Sequence, residues 1–264
     1  MLIIAYDIPL IIMPWYNADL HIHTCLSPCG SLEMSPRRII ARACERGMQV
    51  IAITDHNSTR NVQVCMECGA AADIMVIPGC EVNTQEEVHC LCYFPHLEAL
   101  HLFQEYLDRQ IIDIPHDPER FGYQVAVDAD EQILFEESRS LFTGISDGIE
   151  ALEKVVHRYG GLFVPAHIDR QVYGILSQLG FIPQELSCDA LELSRQTTPD
   201  AFVSSHPELE RRGFLQNSDA HRLEDIGSLH TRFQMEDAGW DHFRKALLEQ
   251  CFEATNVPPV NRKC

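Results

Sequence analysis

The chain alternates between short runs in which nearly every residue is apolar and longer stretches in which apolar residues recur every three or four positions. The first pattern fits strands buried on both faces, the second amphipathic helices. Strands are predicted over 18–24, 50–54, 74–77, 88–94, 162–166, 190–193, 214–217 and 229–235. Helices are predicted from Ser35-Pro36 to Gly47 and over 61–72, 97–109, 146–159, 172–179, 199–211 and 240–250. Ser35 is a natural N-cap, Pro36 suits a first helical turn, and Gly47 is a stop. The rhythm breaks over 111–141, which reads as an irregular segment and then a hairpin of 123–127 and 132–135, turned at Asp128-Ala-Asp130. Repeated strand–helix units imply a parallel sheet, and their number favours a closed α/β barrel over an open one. The sequence shows neither an internal repeat nor an interdomain linker, so a single domain over 1–264 is expected. Residues 1–17 would be an N-terminal extension, 111–141 an insertion and 256–264 a frayed tail.

Composition narrows this picture. A length of 264 residues suits one large α/β domain, and 45% hydrophobic content supports a proper core. Twenty basic against 39 acidic residues give a formal charge of −19. Such a surface repels long polyanions, so duplex nucleic acid is not expected as a partner, although bound metal ions can still attract a small phosphate. Residues 2–13 are apolar but contain Asp7 and Pro9, lack a basic leader and are too short to span a bilayer, so no membrane partner is expected. Either the first twelve residues are an upstream mis-start, with Met13 the natural beginning, or they form an added strand. The 11 cysteines, an odd number without a secretory signal, point to a reducing cytoplasm and free thiols.

The chemistry lies in five fragments spread along the chain: Asp19-Leu-His-Ile-His23, Thr54-Asp-His56, Gly79-Cys-Glu81 followed by His89, Pro165-Ala-His167, and Asn217-Ser-Asp-Ala-His221. Imidazoles and carboxylates at successive strand ends, on one rim of a barrel, are the makings of a metal cluster. His21 and His23 are two apart on a strand, so both face one way and suit one ion. Glu81 and Asp219 can complete or bridge the shell, His89 and His167 can hold a second ion, and His56 and His221 a third. Ions about 3.5–4 Å apart can activate a water and clamp the oxygens of a displacement at phosphorus, with no serine or cysteine nucleophile.

These motifs, in this order from His21 to His221, resemble the PHP family, named for polymerase and histidinol phosphatase. The resemblance implies a distorted TIM-like barrel of about seven β/α units, with two or three divalent ions (Zn, Mn or Fe) at the C-terminal ends of the strands. It implies that His21, His23, Glu81 and Asp219 hold the first ion and Glu81, His89 and His167 the second, Glu81 bridging. One departure stands out. The family places a His or Asp ligand for the third ion shortly after His-x-His; this chain reads Ser27-Pro28-Cys29-Gly30. Cys29 stands at the ligand position, and a thiolate there favours zinc or iron over magnesium.

Around the cluster, Arg170 and Arg195 are candidate forks for phosphate oxygens, and Asp55 is expected to orient a neighbour by hydrogen bonding rather than bind metal. Cys65 and Cys68 have zinc-like spacing but fall in a helix without a second pair, and like Cys90 and Cys92 they read as packing. The expected activity is metal-dependent hydrolysis of a phosphate ester in a small phosphorylated metabolite or nucleotide. The alternatives are an exonuclease on short oligonucleotides, a phosphotyrosine-protein phosphatase and a non-catalytic metal-binding regulatory protein. A basic groove and stacking aromatics would favour the nuclease, and the sequence makes neither evident.

Overall fold

The computed structural model describes residues 13–255. The expectations for residues 1–12 and for the tail 256–264 lie outside the described residues. In chain order the elements are β1 (Trp15–Ile22), α1 (Pro36–Glu45), β2 (Val50–Ile53), α2 (Val62–Ala71), β3 (Met75–Asn83), β4 (His89–Tyr93) and α3 (Leu97–Gln110). The insertion holds α4 (Pro118–Phe121), β5 (Val125–Val127) and β6 (Ile133–Glu136). Then follow α5 (Ile149–Arg158), β7 (Leu162–Pro165), α6 (Ile175–Leu179), β8 (Leu191–Leu193), α7 (Pro199–Ser205), β9 (Phe214–Gln216), β10 (Thr231–Gln234), α8 (Trp240–Leu248) and β11 (Phe252–Ala254). Most fall where the apolar periodicity puts them. β1 begins inside the stretch read as an extension, and β11 is an additional strand. None of the described helices is long and apolar enough to cross a membrane.

Seven strands form one curled half-barrel sheet in the order β11-β10-β1-β2-β3-β4-β7. The expectation of a parallel sheet is corrected here. β1, β2 and β3 are parallel, but β3 and β4 pair antiparallel, as do β4 with β7, β1 with β10 and β10 with β11. The chain between Asn83 and His89 is too short for the crossover that a parallel neighbour requires, so β4 turns straight back along β3. Beyond this sheet, Ile168 N donates to Glu192 O at 2.9 Å, and β8 pairs in parallel with β9. Past β9, His23 N donates to Ala220 O at 2.9 Å and Ala220 N to His21 O at 3.1 Å. Backbone hydrogen bonds therefore lead from β7 through β8 and β9 back to β1.

Two cores occupy the two faces of the strands. Ile51, Ile53, Val76, Cys80, Val82, Cys90 and Cys92 pack outward with α1, α2, α3 and α5, while Leu20, Ala52, Ile77, Leu91, Tyr93 and Val164 pack inward. Alternation along each strand assigns the faces, with one exception. Ala18 and Leu20 face inward yet Ile22 packs outward, because the β1–β2 register shifts between Asp19 and Ile22. Such an irregularity changes which side chains share a face, and it turns His21 and His23 to the inner side. Gly79 has a related role on β3, two residues before Glu81. A Cβ there would stand 3.0 Å from Ile53 O and 3.1 Å from Cys92 O, so glycine lets the neighbouring strands close around the inner face.

Candidate metal centre

The inner face is apolar in its lower part and polar at one rim. His21 lies at the end of β1 and His23 just past it, Glu81 lies near the end of β3, and Glu192 lies on β8 between buried Leu191 and Leu193. His89 opens β4, opposite Asn83, and reaches the same rim because β4 runs antiparallel to β3. His56 follows β2 and bridges to Glu81 through the backbone. His167 and Asp219 follow β7 and β9 with φ of 29° and 52°. A left-handed backbone at residues other than glycine costs about 1–3 kcal/mol and persists only where surroundings enforce it.

The tightest grouping is a quartet. His21 Nε2 and His23 Nε2 are 3.2 Å apart. Glu81 Oε2 lies 3.3 and 3.2 Å from them, and Asp219 Oδ1 lies 3.3 Å from each. Five of the six edges are thus 3.2–3.3 Å; a regular tetrahedron of that edge has its centre about 2.0 Å from every corner, the distance at which zinc takes imidazole nitrogen and carboxylate oxygen. The rings are fixed from behind. His21 Nδ1 is 3.1 Å from both oxygens of Glu192, and His23 Nδ1 is 3.0 Å from Ser27 Oγ, which donates to Asp55 Oδ1 at 2.7 Å. Nδ1 of each ring thus keeps its proton, and Nε2, which faces the centre, is the nitrogen a cation would take once its own proton has left.

Glu81 turns its other oxygen to a second neighbourhood. Oε1 lies 2.9 Å from His89 Nδ1 and 3.1 Å from His167 Nε2, while His56 Nδ1 lies 3.2 Å from Oε2. His56, Glu81 and His89 form one potential ligand triplet, and His23, His56 and His221 another. The buried Nδ1 of His167 has no hydrogen-bond partner among the described residues.

The remaining sequence candidates fall as follows. Cys29 belongs to no ligand group among the described residues, and burial of its thiol, with Glu81 and Asp219 nearby, pushes the thiol pKa up, away from thiolate. Arg170 donates to Asp219 Oδ2 at 2.6 Å, and Arg195 to the Ser218 carbonyl at 3.0 Å. Asp55 accepts from Thr24 N, Thr24 Oγ1 and Ser27 Oγ, each at 2.7 Å, and so acts on His23 through Ser27. Sequence reasoning missed Glu192 as the partner of His21. Its signal was a charge between two leucines in a buried strand, which demands a partner. Tyr173, stacked on His89 at 4.2 Å, gave no such signal.

Charge differs between the two neighbourhoods. Burial alone would lower the pKa of His21, but Glu192, Asp219 and Glu81 raise it well above its ordinary value. Burial likewise opposes protonation of His23, yet Asp219 and Glu81 bring it to about 9. Burial would push up Glu81, and His89, His21 and His56 instead hold it well below the usual carboxylate range. Asp219 is also held low against burial, by His21 and His23. His56 and His89 are lowered by burial, Glu81 notwithstanding, and burial with His23 brings His221 to about 4.

The PHP domain profile matches residues 19–195, and a PHP-associated profile matches residues 213–250. The Bacillus subtilis protein YqxK, itself uncharacterized, is 26% identical over 266 residues, spanning 88% of this chain and 62% of YqxK. Among solved structures, the lesion-specific endonuclease Q of Pyrococcus furiosus superposes with a TM-score of 0.71 at 19% identity, covering 89% of this chain and 56% of the endonuclease. A Bacteroides vulgatus two-domain protein containing a predicted PHP-like metal-dependent phosphoesterase superposes at 0.58 and 15% identity, over 92% of this chain and 65% of that protein. This chain thus spans about three fifths of these longer proteins. Endonuclease Q is also seen with a 27-mer duplex that has an abasic lesion at its active site. That complex overturns the expectation of a small phosphorylated substrate and no duplex nucleic acid. Net charge sums the whole surface, whereas an ester meets the local field of the site, where bound cations are the largest charges.

Proposed function

Since this chain belongs to the PHP domain family, we propose that it is a metal-dependent phosphoesterase acting on a phosphodiester of nucleic acid. The observation that carries the reading is the quartet, whose four potential ligand atoms lie close together while the second oxygen of Glu81 faces His89 and His167. The donor set fits cations: imidazole and carboxylate are ligands for zinc, manganese and iron, and His167 Nε2, beside Glu81 Oε1, offers one more nitrogen. His21, His23, Glu81 and Asp219 would hold one ion, and Glu81, His56, His89 and His167 a second. His221 would serve a third beside His23 and His56, with Cys29 contributing only if its loop moved inward. The likeness to endonuclease Q supports nucleic acid as the substrate class.

We read the fold as one domain, a distorted seven-stranded barrel closed through β8 and β9, with the centre at its rim and the hairpin as an insertion. Cys25, Cys65, Cys80, Cys90 and Cys92 are buried free thiols, which supports a reducing, cytoplasmic setting. Bound divalent ions would supply Lewis acidity toward phosphoryl oxygens and activation of water. The chain does the rest. Glu81 joins the two ligand groups, with Oε2 toward the quartet and His56 and Oε1 toward His89 and His167. Glu192 and the Ser27–Asp55 pair lock the tautomers of His21 and His23. Arg170, which donates to Asp219, would fork onto a non-bridging oxygen.

The test is to load the protein with Zn, Mn or Fe, count bound ions by elemental analysis, and assay single-stranded, duplex and abasic-site oligonucleotides beside simple phosphomonoesters. Metal-dependent cleavage of an oligonucleotide is expected. Stoichiometric metal without hydrolysis of any ester would defeat the enzymatic reading; hydrolysis of monoesters alone would defeat the substrate class.

A further inference from the structure

The segment that ends the insertion is pinned to the metal centre by its backbone. Asn57, next to His56 and at φ 49°, donates its side-chain amide to the carbonyls of Leu141 and Thr143 at 2.9 and 3.0 Å. Asn83, opposite His89, donates to the carbonyl of Phe142 itself at 3.4 Å. Both asparagines are buried. The backbone on either side of Phe142 is therefore held by residues neighbouring the ligand candidates. Yet the Phe142 residue remains 40% exposed, with its ring 6.3 Å from that of His56. Phe121, 45% exposed, stands 6.3 Å from Phe142 at a steep angle, with the Arg120 guanidinium 5.0 Å over its ring.

A single exposed phenylalanine is ordinary. Two adjoining ones beside a buried His–Glu–Asp cluster, with three amide hydrogen bonds to the backbone of Leu141, Phe142 and Thr143, are not explained by packing, because the ring nearer the cluster remains 40% exposed. We infer that Phe142, flanked by Phe121, is a stacking surface for a nucleobase next to the scissile phosphate; this rests on the nucleic-acid reading above. The chemistry suits this chain. A protein of formal charge −19 gains little from phosphate attraction away from its ions. Base stacking is indifferent to that charge and tolerant of sequence. Arg120 adds a cation beside the same surface.

The experiment uses the zinc-loaded full chain and two fluorescent probes of equal length and phosphate count: an oligothymidylate and its counterpart lacking bases. Fluorescence anisotropy measures binding of each to wild type, Phe142→Ala, Phe121→Ala and Phe142→Trp, with melting temperature and metal content checked on the same preparations. Stacking is worth about 1–3 kcal/mol per base, or about 5- to 150-fold in affinity. Wild type should prefer the base-bearing strand by at least about fivefold. Phe142→Ala should erase most of that preference, Phe142→Trp should keep it, Phe121→Ala should reduce it, and the base-free strand should bind all four proteins alike. Equal or undetectable binding of both strands to wild type overturns the inference, as does a preference that survives Phe142→Ala in a folded, metal-loaded protein. Base preference without cleavage of any strand would defeat the phosphodiesterase reading and leave the stacking surface standing. Cleavage without base preference would do the reverse.

Discussion

The quartet of His21, His23, Glu81 and Asp219 and the triplet of His56, Glu81 and His89 share one carboxylate and differ in charge balance. Around the quartet, Glu81, Asp219 and Glu192 face two imidazoles, and the excess negative charge draws protons onto His21 and His23. Around the triplet, Glu81 alone faces several imidazoles, and His56 and His89 are depleted of protons. One place thus demands a cation and holds a proton until a metal arrives. The other has its nitrogen lone pairs already free but attracts a cation less strongly. Neighbouring ligand groups built from the same residue types are tuned apart by how many carboxylates each contains.

The largest effect should come from removing what the two places share. Glu81→Gln replaces a carboxylate that faces both groups by a neutral amide, a far poorer bridge between cations. Loss of an outer hydrogen-bond partner alone costs about 10–100-fold in metal affinity or activity, so loss of this direct contact should exceed about 100-fold in turnover and lower metal content at both places. Elemental analysis and steady-state rates on a folded variant check it. Full metal content with near-normal rates would mean that Glu81 does not join the two groups.

The second effect is pH dependence, and it separates the two places. His23 is protonated below about 9 in the metal-free protein, and an ion entering the quartet must displace that proton. Quartet affinity should therefore rise about tenfold per pH unit for that proton, about 100-fold from pH 7 to pH 9, and then level off; His21 adds to the slope. The triplet should be nearly flat over the same range, because His56, His89 and Glu81 are all shifted down. The stability sign follows. A histidine with a raised folded pKa stabilises the metal-free fold fully below about 6.5 and loses that contribution as pH rises through its folded value. Metal-free protein should thus melt lower at pH 9 than at pH 6, and saturation with zinc should remove the difference. Titration calorimetry in buffers of different ionisation enthalpy counts the protons released. A first ion that releases none would break the contrast between the two places.

The two places also differ in how far the sequence disclosed them. His21 and Glu81 lie on strands and His23 directly follows one, where alternation and apolar flanks guide the facing of each side chain, and their grouping was legible from the chain. Even so, their facing depends on a register shift after Asp19 that the His-x-His spacing does not reveal. His89 was legible as a candidate but not as the start of an antiparallel strand, since apolar runs carry no direction. Cys29 was read from its place in a motif. A loop position follows from backbone geometry rather than periodicity, and that sulfur belongs to none of the potential ligand groups among the described residues. Glu192 was passed over because one carboxylate between leucines forms no motif. Its meaning comes from His21, far away in sequence.

Glu192 supplies the third and more selective test. It holds His21 from behind, accepts from His167 N at 3.0 Å and Asn217 Nδ2 at 2.9 Å, and touches neither His56 nor His89 by any hydrogen bond among the described residues. Glu192→Gln keeps the shape and removes the charge. Quartet affinity should fall about 10–100-fold, the range for outer partners of ligating histidines, and fewer protons should be released on loading because His21 loses the strongest source of its raised pKa. Triplet affinity should change much less. Equal weakening of both places would mean that they act as one electrostatic unit and that the contrast drawn from charge balance fails.

The smallest effect is expected at Arg170, and its value lies in its sign. The guanidinium meets Asp219 Oδ2 at 2.6 Å, while Asp219 Oδ1 faces the quartet, so arginine and metal compete for one carboxylate. The arginine side chain is 35% exposed, which discounts the pair toward the range of exposed ion pairs, about 0.2–1 kcal/mol. Arg170→Ala should release Asp219 toward the ion and raise quartet affinity by about two- to fivefold, with the triplet unchanged. If the same guanidinium also forks onto a phosphate oxygen, kcat/KM should move the opposite way, falling about three- to tenfold. Arg170→Lys should recover only part of that loss, because an ammonium keeps the charge and loses the planar two-point contact. Tighter metal with slower turnover is an outcome a purely structural arginine cannot give. Tighter metal with unchanged turnover would confine Arg170 to the quartet's electrostatics and move the phosphate contact to Arg195, whose guanidinium lies against the Ser218 carbonyl one residue before Asp219.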